Sequence, residues 1–224
     1  MGDAAATLYV YGSVANGTAR PGASDVDLLS VNYPHSAELS ANLTRRFPMA
    51  CRYVEVAAMT SADLQGDTDE AHGIRVFLRH YCVHLTGTDV SAGLPVFRAD
   101  ARAARGFNGD LGRHWRTWQE QLVTAGTDIG VLGRRVARKT LLAVAGMVSV
   151  HDKTWTTDRL HAADRWSEIE PALGAHLAQL WSWADGAQLP ALGTLASMVA
   201  DGGPVATVVQ QFDAVAGLWT SSHR

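Results

Sequence analysis

Lysine is nearly missing from this chain. Of its 19 basic residues, only Lys139 and Lys153 are lysines; the others are arginines. No basic run occurs, and the formal net charge is −3. A strong field favouring nucleic acid is therefore not expected, and no nucleic-acid partner is read from the sequence. Cysteine is equally scarce: Cys51 and Cys82 are the only two, too few for a disulfide framework. Both fall on expected strands and read as buried free thiols. An uninterrupted apolar stretch of about 18 residues is also lacking, so no membrane span is expected. The residues ahead of the first apolar run, 1–6, are too few for a signal peptide, which points to a cytoplasmic location. Repeats of fixed length and low-complexity segments are not visible. What remains is a globular composition of 224 residues, 47% hydrophobic and 18% charged. That length suits one large or two small domains with a substantial core.

The information concentrates in residues 8–31. An apolar run, Leu8–Tyr11, ends in Gly12-Ser13. A loop rich in Gly, Ala and Pro follows, and a second apolar run opens with Ser24-Asp25-Val26-Asp27. Side chains two apart on a strand share a face, so Asp25 and Asp27 are expected to point the same way. Two adjacent anions repel unless a cation lies between them. Carboxylate oxygens suit Mg²⁺, which keeps several waters and takes substrate phosphates as further ligands. Gly12 allows close approach of the backbone to a phosphate, and Ser13 offers it a hydroxyl and an N–H. The plain alternative is a β-hairpin with an acidic edge. A candidate base for a hydroxyl substrate is Glu55, set between Val54 and Val56 in the apolar strand 51–59. A glutamate in such a run is costly to bury unless it is paired or faces a cleft.

Along the chain, residues 7–11, 26–31, 51–59 and 82–86 read as strands. Helices are expected at 36–47, with Leu39, Leu43 and Phe47 on one face, and near 71–80. Pro48 ends the first of these. His80, Cys82 and His84 would share one strand face and mimic a metal site, although an ordinary strand explains them and no fourth ligand is evident. From about Ala99 the pattern is helical throughout, with segments at 110–124, 129–150, 157–168, 171–184, 191–201 and 204–219. Gly126, Gly186 and Gly202-Gly203 punctuate them. Trp115, Trp118, Trp181, Trp183 and Trp219 read as bundle core. The expected fold is an α/β domain with a small mixed sheet over residues 1–98, followed by an all-α helical bundle over 99–224.

Gly-Ser, eleven residues, then Asp-x-Asp, with Gly17 four residues after Ser13, resembles the signature of the DNA polymerase β-like nucleotidyltransferase superfamily. Arg-Tyr-Val-Glu-Val at 52–56 and Cys-Val-His-Leu-Thr-Gly-Thr-Asp at 82–89 further resemble strands of the aminoglycoside 3″/9-adenylyltransferases. The stretch Arg138–Trp166 is similar to their helical domain. The resemblance implies Mg²⁺-dependent transfer of AMP from ATP to a drug hydroxyl. Asp25 and Asp27 would hold metal, Ser13 and Ser24 the nucleotide phosphates, and Glu55 would be the base. Trp155 and Asp164 would face the cationic drug. The family's other acidic position is Leu160 here, with Asp158 as a substitute. Two features depart from the family: it has a helix before the first strand, and its segment between Glu55 and Cys82 is longer and carries a drug-contacting tryptophan. A smaller acceptor, such as spectinomycin rather than streptomycin, is therefore expected, with the protein a monomer or homodimer. A nucleotidyltransferase acting on another small molecule or on a protein hydroxyl, as antitoxin members do, and a non-catalytic nucleotide-binding regulator are the alternatives.

Overall fold

The computed structural model describes residues 7–219. The chain divides into two compact units, Met1–Phe97 and Arg98–Arg224.

In the first unit, β1 (Thr7–Tyr11) leads through a single turn, α1 (Gly12–Ala15), and a loop into β2 (Val26–Val31). After α2 (Ser36–Arg46) come β3 (Val54–Met59), a 3₁₀ turn at Ser61–Leu64, α3 (Asp69–His80) and β4 (Val83–Thr86). The strands form one sheet in the order β3-β2-β1-β4. β1 is antiparallel to β2 and β4, and β2 is parallel to β3. The parallel step requires a crossover, which α2 supplies.

Alternation of side chains divides the sheet into two apolar faces. Val10, Leu28, Val54 and Val56 lie on one, where Leu39 and Leu43 of α2 cover them. Phe47 stands just beyond that helix, 45% exposed, and lines the edge of the same apolar face beside Leu43. Tyr9, Leu29 and Val31 lie on the other face and pack with Phe77 and Leu78 of α3. Thr68 begins α3 as its N-cap, accepting the Ala71 N–H at 3.1 Å.

The second unit is helical. Its helices are α4 (Ala101–Asn108), α5 (Leu111–Leu122), α6 (Ile129–Asp152), α7 (Arg159–Ile169), α8 (Gly174–Asp185), α9 (Leu192–Val199) and α10 (Pro204–Ala216). The longest, α6, starts where Asp128 accepts the Val131 N–H at 2.9 Å and ends at Lys153, whose φ of 55° is left-handed. Leu132, Val136, Leu141, Val144, Met147 and Val148 on α6 are buried at the centre of one core. Trp118 and Trp183 are buried in it, with Trp115 and Trp181 packed alongside. Trp115 donates Nε1–H to the Val199 carbonyl at 2.7 Å, so its one polar atom is satisfied. The stretch Leu192–Ala216 contains an 18-residue window of mean hydropathy 1.3, but residues 200–203 part it into α9 and α10.

Candidate active site

The register of the sheet sets the geometry of the site. Tyr11 of β1 stands opposite Asp27 of β2, and Asp27 stands opposite Glu55 of β3. Directly opposed residues share a face, so Tyr11, Asp27 and Glu55 form one row across three strands. The row lies at the end of the face whose other rows carry the buried Tyr9, Leu29 and Val31. Glu55 is exposed while Val54 and Val56 beside it are buried. Its position in an apolar strand thus has a simple cause: the neighbours fill the α2 side, and Glu55 projects from the opposite, open end.

Tyr11 registers the charge of this row. Burial pushes its phenol well above the ordinary tyrosine range, and the nearby Asp27, Glu55 and Cys82 push it further. The ring packs edge-to-face on Phe77, with centroids 5.1 Å apart.

Gly12 is fitted against the same carboxylate. Its φ is +68°, and a Cβ built there would meet Asp27 Oδ2 at 2.3 Å. The left-handed φ disfavours a side chain there, and its Cβ would displace the Asp27 carboxylate. Behind Gly12, the Ser13 carbonyl accepts the N–H groups of Thr18 and Ala19 at 2.9 and 3.0 Å, which folds the loop back. Ser24 closes a turn at the loop's far end, where its hydroxyl accepts the Arg20 N–H at 2.9 Å.

Asp25 precedes β2 rather than lying on it. Arg52 grips its carboxylate in bidentate fashion, Nε to Oδ1 at 2.9 Å and a terminal nitrogen to Oδ2 at 2.6 Å. The cation beside the first aspartate is thus a guanidinium. Among the described residues no three His, Cys, Asp or Glu side chains are grouped closely enough to hold a metal ion. The donor set still fits Mg²⁺, which is commonly held by one or two carboxylates with substrate phosphates and water completing the shell.

The His80–Cys82–His84 arrangement does not form on a strand. His80 is the last residue of α3, and its Nε2 accepts the Phe97 N–H at 3.0 Å. Cys82 lies just before β4, and burial pushes its thiol up to about 12. His84 faces Tyr9 edge-on at 5.3 Å. Cys51 likewise precedes its strand, buried and unbridged.

In the second unit, Trp155 is half-buried in the turn between α6 and α7. Asp158 is the N-cap of α7, its Oδ1 accepting the N–H groups of Leu160 and His161 at 2.8 and 3.0 Å. Asp164 is exposed six residues further along that helix. Sequence reasoning assigned no role to Arg52 or Tyr11. The signal for Tyr11 was its place directly before Gly12, which fixes it opposite Asp27 once the hairpin closes. Nothing local marked Arg52, because its partner lies 27 residues away.

Residues 3–79 match the family model described as a nucleotidyltransferase domain. The match spans the row, the glycine loop and both helices that cover the sheet. The protein is a nucleotidyltransferase, with its nucleotidyltransferase domain in the first unit. No curated protein matches the chain.

Proposed function

We propose that the protein transfers AMP from ATP to a hydroxyl of a small cationic acceptor, an aminoglycoside or aminocyclitol, with Mg²⁺ as the metal. One observation carries the choice of site: Asp27 and Glu55 are registered side by side on adjacent strands, with Gly12 closed against Asp27. Asp25 and Asp27 would hold the metal, which when bound would neutralise the triphosphate and the leaving pyrophosphate. Gly12 leaves the loop backbone bare for the phosphates, and the Ser13 and Ser24 hydroxyls are within the same loop. Glu55 is open to solvent, as a base must be to meet an incoming hydroxyl. It takes the proton while the acceptor oxygen bonds to the α-phosphorus and the bond to the β-phosphate oxygen breaks. Most of the rate enhancement then comes from alignment and charge stabilisation.

The acceptor class rests on the resemblance of residues 52–56, 82–89 and 138–166 to the aminoglycoside 3″/9-adenylyltransferases. Trp155 and Asp164 are the residues that would contact it, since an aromatic face and a carboxylate suit an ammonium group. The test is mass spectrometry of an aminoglycoside and aminocyclitol panel incubated with ATP and Mg²⁺. A product heavier by one adenylyl group, with spectinomycin preferred to streptomycin, is expected. Pyrophosphate release that depends on a protein or on an unrelated hydroxyl compound would retain nucleotidyl transfer and refute this acceptor.

A further inference from the structure

We infer that Arg52 is a nucleotide-phosphate ligand that rests on Asp25 until metal and nucleotide arrive, so that its guanidinium competes with the metal for that carboxylate. This rests on the proposed reading of Asp25 as a metal ligand. Three observations carry it. First, Arg52 occupies both oxygens of Asp25, at 2.9 and 2.6 Å, and a divalent cation needs those same oxygens. Second, the backbone here is fixed. Arg52 donates its N–H to the Ser24 carbonyl at 3.1 Å and Val26 donates to the Tyr53 carbonyl at 2.9 Å, extending the β2–β3 pairing beyond the strands. Third, the side chain is not fixed by packing: it is 60% exposed, against 29% for Asp25. An exposed ion pair contributes little net stability and exchanges readily. The planar fork that fits a carboxylate fits a phosphate equally well. When a divalent cation takes Asp25, the released guanidinium is already anchored beside the glycine loop, three residues from Glu55.

The inference predicts effects of opposite sign from one substitution. Without nucleotide, Arg52→Ala removes the guanidinium that competes for the Asp25 oxygens, so Mn²⁺ binds more tightly, by roughly threefold to tenfold. At saturating Mn²⁺, the same variant binds the non-cleavable α,β-methylene analogue of ATP more weakly, by about tenfold. Arg52→Lys keeps the charge without the fork and falls between the two. The readouts are the free-Mn²⁺ paramagnetic resonance signal and calorimetry with the analogue, on the full chain, with circular dichroism to establish folding. A purely structural Arg52 would weaken both affinities or move neither, and either result in folded Arg52→Ala or Arg52→Lys overturns the inference. A wild-type protein that binds the analogue without Mn²⁺, and binds no Mn²⁺ in its presence, refutes instead the metal-dependent reading on which it stands.

Discussion

Gly12 and Asp27 constrain each other, and the constraint is local enough to test one residue at a time. A methyl at position 12 must occupy a left-handed φ of +68° and lie 2.3 Å from Asp27 Oδ2. Gly12→Ala is therefore expected to lower stability by about 1–3 kcal/mol in denaturant titration. It should also depress pyrophosphate release by displacing the carboxylate; normal turnover in that variant would detach Gly12 from the site. Glu55 is a cleaner case. Because it is exposed, Glu55→Gln removes a base without opening a cavity. ATP binding should survive while the rate falls by roughly 10²–10⁴, the usual worth of a positioned base. Calorimetry that shows ATP binding lost along with turnover would reassign Glu55 to metal ligation.

At the scale of elements, most of the first unit could be read from periodicity. The apolar runs at 7–11 and 26–31 and the helical spacing of Leu39 and Leu43 gave these segments clear limits, and the structure places them there. The single turn α1 and helix α4 carried no such pattern: the first is four residues long, and the second is rich in Ala and Arg. The Asp27–Glu55 pairing depends on strand order and register, long-range properties that only the closed sheet displays. The Asp25–Arg52 pair was invisible for the same reason. Helix α7 illustrates a further limit, because a carboxylate can look like a ligand in sequence and serve as a cap in the fold. Asp158→Ala should cost about 1 kcal/mol through the lost cap, whereas Asp158→Asn keeps the capping oxygen and removes the charge. A raised KM for the acceptor in Asp158→Asn at unchanged Tm would show recognition beyond capping. Asp164 is exposed, so Asp164→Ala should leave stability within about 0.5 kcal/mol. Its expected effect is a higher KM for the aminocyclitol and an unchanged KM for ATP; equal KM values for both substrates would remove Asp164 from the acceptor site.

On the scale of the whole molecule, each of the two units offers its own test. The second unit contains a carboxylate whose ionisation is tied to folding. Burial pushes Asp110 up, but the His114 hydrogen bond and the Lys139 ammonium 2.7 Å away outweigh it and hold the carboxyl at about 2. A pKa depressed in the folded state stabilises above the unfolded value, near about 3.9, and that contribution is lost as the pH falls toward about 2. The Tm difference between the wild type and Asp110→Asn should therefore narrow from about pH 5 to about pH 2; a constant difference would contradict the assignment. In the first unit the proposed reaction turns on a single row of residues, Tyr11, Asp27 and Glu55. The most direct test is adenylylated acceptor formed from ATP and Mg²⁺ by the wild type and by Asp27→Ala, with folding of both established by circular dichroism. Product is expected from the wild type and none above background from the folded variant. Undiminished product from Asp27→Ala would contradict it.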